Sequence, residues 1–284
     1  MKPVKAYAKI NLYLSVGTKL ANSLHQVRSI MQTIDLSDEL SFFLTEKIRV
    51  ESDARELGGE ADLAFKAAKL LKEKFNVDRG IGINIKKNIP IAAGLGGGSS
   101  DAAATLVSLN KIWSLHLSMS KLEALASELG SDVPFFIRGG TRLIEGYGQI
   151  VSEVETLSNC GIFFVIANPA ESVSARDVYA EFDKLRPVTP PDIKSILLAI
   201  GKRDVHQIAE HLYNGLEVAA LKKCSKSAEI KEIVSEEGAL GAVVSGSGPS
   251  VVSIFDDEER AKQAHKRLKK AVSYSCICQA VNQD

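Results

Sequence analysis

The stretch Pro90–Asp101, PIAAGLGGGSSD, decides the fold of this chain. Four glycines and two serines lie within seven consecutive residues of it. The isoleucines of the preceding segment, Ile81–Lys86, alternate as they do on a half-buried strand. Apolar residues from Ala102 to Trp113 recur at helical spacing, which predicts a helix that begins near Ser99–Asp101. The order of elements is therefore strand, glycine loop and helix.

The glycine loop has the composition of an anion-binding site. Glycines let successive backbone N–H groups converge, and a helix start adds unpaired N–H groups with partial positive charge. Such a cradle suits the phosphates of a nucleotide. The alternative is a tight turn followed by residues that cap the helix, but a simple turn needs fewer glycines.

Two familiar nucleotide-binding motifs are excluded by the same residues. The P-loop requires a lysine after its last glycine, and no lysine follows these glycines. The dinucleotide fingerprint requires a third glycine where this chain has Ser99. The sequence therefore indicates a phosphate-binding loop of a third kind.

The overall composition excludes several classes of protein. The 284 residues suit one large or two ordinary domains with a substantial core. Lysine plus arginine and aspartate plus glutamate number 35 each, so no net charge attracts nucleic acid or an anionic membrane. No segment approaches the roughly twenty apolar residues that cross a bilayer. We expect a soluble globular protein that binds neither nucleic acid nor membrane.

Cysteine usage and the N-terminal residues predict a cytoplasmic location. None of the four cysteines, at positions 160, 224, 276 and 278, belongs to a C-x-x-C pair, so we expect free thiols and not disulfides or zinc ligands. The first residues, MKPVKAYAKINLYLSV, alternate between apolar and polar types, which predicts a strand and not a signal peptide.

The N-terminal strand carries two polar side chains on one face. Lys9 and Asn11 alternate with apolar neighbours in AKINLYL, so both point the same way from a rigid element. A lysine on an exposed sheet face would show the same pattern. The functional alternative is a fixed cation and amide that face a substrate.

Periodicity predicts most of the remaining elements. An extended run followed by LSFFLTE and KIRVES predicts a β-meander, and an amphipathic helix follows at 63–75. A second helix is predicted with Ser120 and Glu123 as its capping box and an end at Gly130. The composition indicates a new domain near residue 155, and the mixture of strands and helices predicts an α+β arrangement.

The residues SDVPFF place a carboxylate directly after this second helix. Asp132 precedes a proline and two aromatic residues. Such an acid either forms a turn or stands at the mouth of a cleft. Periodicity favours neither interpretation.

Three separated segments fit one known family. AKINLYL near the start, PIAAGLGGGSSDAA in the middle and GAVVSGSGPSVVSIF near the end resemble the three motifs of the GHMP small-molecule kinases. GSDVPFF at Gly130–Phe136 is similar to the segment that carries a catalytic aspartate in one branch of this family. The match runs in the right order from about residue 6 to residue 280.

The resemblance implies an α+β protein with the two-domain GHMP kinase fold. Residues 1–155 would form an N-terminal, ATP-binding domain like ribosomal protein S5. Residues 156–284 would form a ferredoxin-like, substrate-binding domain, with the active site in a cleft between the two. We expect a monomer or a weak homodimer.

The resemblance also implies a reaction. The extra glycines and the SSDAA ending are similar to the branch that uses ATP and Mg²⁺ to phosphorylate a cytidine-diphosphate-linked methylerythritol. The phosphate goes to the tertiary 2-hydroxyl, in the non-mevalonate route to isoprenoid precursors. Lys9 and Asp132 match the catalytic pair. Ser100 and Asp101 are the alternatives for a contact with the metal.

Other positions match binding residues of the family. His25 would read the edge of the cytosine, and Tyr179 would stack on it. The nucleotide-binding positions are Asp62, Lys87, Pro90, Gly94, Leu95, Gly96, Gly97, Gly98, Ser99 and Ser100. The substrate-binding positions are Asn11, Leu24, His25, Tyr179, Gly246, Ser247 and Gly248.

Two of these positions depart from the family's pattern. Leu24 replaces a tyrosine that stacks on the cytosine, and Asp62 replaces an asparagine beside the nucleotide. A leucine has no π face, so the affinity for a cytidine substrate is expected to fall. Three hypotheses stay open: a kinase of the cytidine-linked substrate, a kinase of another small alcohol, and a nucleotide-binding sensor without turnover.

Overall fold

The computed structural model describes residues 2–20, 23–54, 58–169 and 171–282, which form two β-sheets and the helices packed on them. The strands are β1 Val4–Lys19, β2 His25–Thr45, β3 Arg49–Ser52, β4 Gly80–Lys86, β5 Thr141–Glu145, β6 Ile150–Glu153, β7 Phe163–Asn168, β8 Tyr213–Asn214, β9 Gly241–Val244, β10 Val251–Phe255 and β11 Tyr274–Cys278. The helices are α1 Leu63–Lys74, α2 Gly97–Ile112, α3 Met119–Ser127, α4 Val133–Arg138, α5 Ala175–Phe182, α6 Ile193–Lys202, α7 Val205–Glu210, α8 Glu217–Lys223, α9 Lys226–Glu236 and α10 Glu258–Ala271. Among these described helices, none combines the length and the apolarity that a membrane span requires.

The first sheet is organised around β1 and β2, which pair antiparallel over most of their length. Among the described residues its order is β3-β4-β2-β1-β8, with β5 pairing β2 and β6. β2 is one continuous strand of 21 residues, where periodicity indicated two separate runs. Because Ile10, Leu12 and Leu40 are fully buried, the central strands belong to the core.

The predicted β-meander is wrong at β3. Among the described residues, β3 pairs parallel with β4 and not with β2, so it lies at the sheet edge. The helix α1 stands between β3 and β4 in the chain. A helix between two strands carries the chain back along the sheet, so that the second strand runs parallel to the first. In a meander, tight turns join antiparallel strands.

The second sheet has the order β11-β7-β10-β9 within the described residues, and its pairs are antiparallel. The helices α9 and α10 cover it through a shared apolar cluster that includes Ile230, Val234, Ala264 and Leu268. The helices form a layer on one antiparallel sheet, which confirms the expected α+β class.

The two sheets are joined where β11 ends. The Asp35 backbone N–H donates to the Gln279 carbonyl at 3.1 Å, and the Gln279 N–H donates to Asp35 Oδ1 at 2.9 Å. β8 forms a second link, because it pairs parallel with β1 although it lies late in the chain. The C-terminal half of the sequence therefore contributes to both sheets.

Two predicted helix starts are wrong by two residues. α2 begins at Gly97, ahead of the expected start at Ser99, because Gly96 adopts the left-handed φ of 75° that ends the loop. The cap of α3 is Ser118 and not Ser120, since Ser118 has extended backbone and accepts from the Lys121 N–H.

Periodicity did not predict β5, β6, β8 and α8. These elements contain only two to seven residues, so each holds too few repeats for a pattern. Tertiary pairing, such as that of β8 with β1, is what gives them regular structure.

Burial predicts a large loss of stability for one phenylalanine substitution in this fold and a small one for another. Phe164 on β7 is fully buried, whereas Phe43 on β2 is 46% exposed. We expect Phe164→Ala to lower the free energy of unfolding by about 3–5 kcal/mol, because it removes buried contacts and leaves a cavity. Phe43→Ala, the matched control, should change it by about 0.5 kcal/mol or less. Urea denaturation measures both, and equal effects would contradict the core assignment.

Candidate active site

A cavity of about 690 Å³ opens beside β1, the glycine loop and α5. Its wall comes from both halves of the chain and includes Lys9, His25, Gly96, Asp132, Tyr179 and Gly246. The fold thus brings predicted catalytic, nucleotide-binding and substrate-binding residues to one space.

A buried lysine forms the centre of this cavity wall. Lys9 Nζ donates to Asn11 Oδ1 at 2.6 Å and lies 3.6 Å from Asp132 Oδ2. Asn11 Nδ2 donates in turn to Ser29 Oγ at 2.9 Å. The Lys9 side chain is only 4% exposed, whereas that of Asp132 is 36% exposed. The ammonium is therefore held in place, and the carboxylate remains open to the cavity.

Strand β1 positions Lys9 by contacts on both sides. Its pairing with β2 shifts register after Tyr7 and after Asn11. The side chains between these two shifts therefore point in a different direction from those of the rest of the strand. The Lys9 backbone N–H donates to the Leu95 carbonyl at 2.9 Å. This bond ties the strand that carries the lysine to the glycine loop.

Asp132 occupies the N-cap position of α4, but its side chain does not cap the helix. Its backbone is helical, with φ −87° and ψ −15°, and its side chain makes no capping hydrogen bond. The following residues Val133, Pro134 and Phe135 are buried. Of the two interpretations that the sequence left open, the structure favours an aspartate in the wall of the cavity.

The glycine loop depends on two left-handed residues. Gly94 and Gly96 have φ of 76° and 75°. A Cβ on Gly94 would lie 2.3 Å from the Ser245 carbonyl oxygen, and one on Gly96 would lie 2.6 Å from Phe136 Cζ. Only glycine allows the loop to pass so close to its neighbours.

The first turn of α2 is formed by Gly97, Gly98 and Ser99. A Cβ on Gly98 would meet nothing closer than Leu63 Cδ1 at 3.8 Å. Helix starts leave N–H groups without an intrahelical partner, and these carry partial positive charge. The open side of this turn can therefore accept an anion.

A buried ionic cluster lies beneath this turn. Lys87 Nζ bonds to Asp38 Oδ2 and to Asp101 Oδ2, the latter at 2.7 Å. Burial raises the pKa of Asp101 to about 7, although the ammonium of Lys87 opposes the shift. Burial acts to lower the pKa of Lys87, but the charges of Asp101 and Asp38 outweigh it and raise that pKa. Asp101 Oδ1 is buried without a hydrogen-bond partner in the described part of the chain.

Several predicted nucleotide positions lie outside the main cavity wall. Lys87 and Pro90 line a second cavity of about 370 Å³. Asp62 caps α1 by accepting from the Ala64 N–H at 2.8 Å. Leu95 is 1% exposed and its side chain packs in the core, so this residue contributes only backbone to the surface of the glycine loop. Ser100 is buried in the first turn of α2.

The far end of the cavity holds an aromatic and ionic group. His25 Nε2 lies 2.7 Å from Asp183 Oδ1, and the His25 ring lies 5.0 Å from that of Tyr179. Lys19 Nζ bonds the other Asp183 oxygen at 3.0 Å. Burial, helped by the charge of Asp132, raises the pKa of Tyr179 to about 12. Leu24, which is 41% exposed, lines the same wall.

The turn after β9 contributes Gly246 and Ser247 to the cavity wall. Gly248 differs from the other predicted substrate residues, because a Cβ on it would meet Val244 Cγ1 at 2.9 Å. It faces the packed interior and allows the turn to lie close to the sheet. The structure therefore places Gly248 behind the cavity wall and not in it.

Sequence reasoning missed residues that hold the site together. Ser245 Oγ donates to the Gly94 carbonyl at 3.2 Å, and Asn214 Nδ2 donates to the Gly246 carbonyl at 2.7 Å. Asp183 bonds His25, and Lys19 bonds Asp183. No sequence motif or periodic spacing marks these residues, although Ser245 lies next to the GSG of the third motif.

Alanine substitution separates the two kinds of glycine in this loop. We expect Gly94→Ala to lower the free energy of unfolding by more than about 2 kcal/mol, because the left-handed backbone is strained for alanine and the Cβ meets a carbonyl. Gly98→Ala has open space and helical backbone, so it should leave stability unchanged or raise it by about 0.5–1 kcal/mol. Urea unfolding compares the two variants. Equal losses would contradict the geometry of the loop.

Comparison with known proteins identifies the family. The family model described as GHMP kinases N terminal domain matches residues 62–140, and the one described as GHMP kinases C terminal matches residues 196–273. The 4-diphosphocytidyl-2-C-methyl-D-erythritol kinase of Thermoanaerobacter pseudethanolicus is 39% identical over 272 residues, 95% of this chain and 93% of the relative. The kinase of the same name from Bacillus cytotoxicus is 42% identical, covering 94% of this chain and 92% of the relative.

Solved structures agree with this assignment. A crystal structure of 4-(cytidine 5'-diphospho)-2C-methyl-D-erythritol kinase matches with a TM-score of 0.81 at 27% identity, covering 99% of this chain and 100% of that one. A homoserine kinase from Cytophaga hutchinsonii matches with a TM-score of 0.76 at 19% identity, covering 98% and 95%, and shows the fold alone. The chain therefore belongs to the GHMP kinase family, and it is an ATP-dependent kinase with the two-domain α+β fold of that family.

Proposed function

We propose that the chain transfers the γ-phosphate of ATP to the 2-hydroxyl of 4-diphosphocytidyl-2-C-methyl-D-erythritol, in the non-mevalonate route to isoprenoid precursors. The relatives that cover nearly the whole chain are kinases named for this substrate. The observation that carries the proposal is the 3.6 Å contact between Lys9 Nζ and Asp132 Oδ2, in the same cavity as the glycine loop.

Asp132 is the proposed general base. A tertiary alcohol is a poor nucleophile until a positioned group accepts its proton. The Asp132 carboxylate is open to the cavity and makes no capping bond that would occupy it. The neighbours Val133 and Phe135 are packed in the core and anchor the start of α4, which fixes the backbone that carries this carboxylate.

Lys9 is the proposed partner of this base. Phosphoryl transfer asks the protein mainly for positioning and for cations around the transferring group. The Lys9 ammonium is held by Asn11, so little reorganisation is needed when charge develops on the phosphate. The same ammonium orients the Asp132 carboxylate toward the acceptor.

The proposed ATP-binding residues surround the first turn of α2. Backbone N–H groups from Gly96 to Ser99 would hold the phosphates, because this side of the helix start is open. The cluster of Asp38, Lys87 and Asp101 supports the loop from below. Asp62 would act by holding the start of α1 beside this turn.

Magnesium is expected to reach this site on the phosphates of ATP. Within the described residues, no three His, Cys, Asp or Glu side chains form a group that could hold a metal ion. Mg²⁺ in kinase sites typically takes one or two protein ligands besides phosphates and water. Asp101 Oδ1, which has no hydrogen-bond partner among the described residues, and the Ser100 hydroxyl fit such a role. When bound, Mg²⁺ neutralises charge on the β- and γ-phosphates.

The cytidine end of the substrate is proposed to lie against His25 and Tyr179. The hydrogen bond to Asp183 fixes the His25 imidazole at the edge of the cavity, and the half-buried Tyr179 ring lies beside it.

We propose a domain boundary near residue 155, between β6 and β7, where the chain passes from one sheet to the other. A cytoplasmic location agrees with a substrate and a donor that are small phosphorylated metabolites.

Replacing the proposed base tests the mechanism. We expect Asp132→Asn to lower kcat by about 100- to 10,000-fold, because the amide keeps the shape but cannot accept the proton. A steady-state assay of ADP release with the cytidine substrate measures this change. Asp177→Asn, an exposed substitution on α5, is the control and should retain the wild-type rate. A kcat for Asp132→Asn within tenfold of the wild type would overturn the role of Asp132.

A second candidate function is a GHMP kinase of another small alcohol. It is favoured by Leu24, which lines the cavity where the family has a stacking tyrosine. ADP release measured with the cytidine compound, mevalonate and homoserine separates the two functions. If the cytidine compound is no better than the other acceptors, the first function fails.

Restoring the aromatic ring tests how the base is bound. We expect Leu24→Tyr to lower the KM for the cytidine substrate by about 5- to 150-fold, the range that corresponds to base stacking of about 1–3 kcal/mol. The KM for ATP should not change. Leu198→Tyr on α6, an exposed leucine outside the cavity wall, is the matched control. An unchanged KM in Leu24→Tyr would show that the base does not lie beside residue 24.

A further inference from the structure

Two thiols lie in contact on the last strand of the second sheet. Cys276 and Cys278 stand two residues apart on β11, so their side chains share one face of the strand. Their sulfur atoms are 3.4 Å apart, and both thiols are free. A disulfide bond is about 2.05 Å long, so the two sulfurs need to approach by little more than one further ångström.

The position of this pair allows such an approach. β11 is an edge strand of its sheet in the described structure, where it pairs with β7. An edge strand can bend locally without breaking bonds to a second neighbour. Cys276 is half-buried and can meet a small solute, whereas Cys278 is 3% exposed.

The two thiols differ in their chemistry. A hydrogen bond from the Cys278 thiol lowers the pKa of Cys276, so Cys276 has the greater thiolate character. The same contact, together with burial, raises the pKa of Cys278. A half-buried thiol of lowered pKa beside a more deeply buried thiol is the arrangement in which one cysteine is oxidised and the other resolves the product.

We propose that Cys276 and Cys278 form a redox-active dithiol that a hydroperoxide oxidises to an intrachain disulfide. The Cys276 thiolate attacks the terminal peroxide oxygen, the O–O bond breaks, and the leaving alkoxide or hydroxide takes a proton from water. The Cys278 sulfur then attacks the Cys276 sulfenic acid, the S–S bond forms, and water leaves with the Cys278 proton. The two sulfurs lose two electrons in total, and the peroxide gains them.

The resulting disulfide would be readily reversible. Residues two apart on an extended strand are held further apart than a relaxed disulfide prefers, so the bond would be strained. Strained disulfides have higher reduction potentials and are the labile ones. A dithiol reductant would therefore return the pair to its free form. This proposal concerns thiol chemistry and does not depend on the proposed kinase reaction.

Mass spectrometry of the full-length chain tests the proposal directly. Protein reduced with dithiothreitol and then freed of it is treated with hydrogen peroxide, alkylated and digested with trypsin. Both cysteines fall in the single tryptic peptide 271–284. We expect this peptide to lose the mass of two hydrogen atoms and to escape alkylation, and dithiothreitol should reverse both changes.

Three variants identify the roles of the two sulfurs. Cys278→Ser should leave a sulfenic acid on Cys276 that dimedone traps, and Cys276→Ser should abolish formation of the disulfide. Cys160→Ser, which alters a half-buried thiol outside β11, is the matched control and should oxidise like the wild type. The proposal is overturned if the wild-type peptide keeps two alkylatable thiols, or if it passes to sulfinic acid without a disulfide. Because the wild-type chain carries the main readout, a variant that misfolds does not alter the conclusion.

Discussion

A charged ammonium buried in an apolar strand has to be compensated, and this requirement organises the centre of the molecule. Lys9 stands on β1 between fully buried neighbours and finds its compensation in the Asn11 amide oxygen and the Asp132 carboxylate. Its own backbone N–H bonds the glycine loop. One residue thereby brings β1, the loop and the start of α4 to a common point. The same compensation leaves a carboxylate and an ammonium side by side at the edge of a cavity.

The glycine loop is held by backbone geometry and by a second buried charge. Gly94 and Gly96 let it pass within contact of the turn after β9 and of Phe136. Asp38 accepts from the Asn88 and Ile89 N–H groups at 2.6 and 2.8 Å, and it also bonds Lys87. A paired buried charge is costly to leave without its partner, so this cluster resists displacement of the loop. The first turn of α2 is thus held in place by contacts within the protein.

The end of the cavity beside α5 is less regular. His25 and Tyr179 come from β2 and α5 and contact each other through their rings, while Asp183 bonds His25 and Lys19. Leu24 adds exposed apolar surface to the same wall. In the proposed reaction, phosphate transfer and recognition of the acceptor therefore rest on different side-chain pairs: Lys9 with Asp132, and His25 with Asp183.

Local patterns alone determined the glycine loop, the Lys9–Asn11 face, most helices and the α+β class, because these depend on backbone conformation and on side-chain period. They did not determine the partner of β3, the start of α2, the place of Asp132 in the cavity wall or the contacts of Asp183 and Ser245. Those depend on contacts between residues far apart in the chain, such as Asn11 N–H with Ser245 Oγ at 3.3 Å. Periodicity describes which face a residue occupies. Only the packed tertiary structure decides what that face meets.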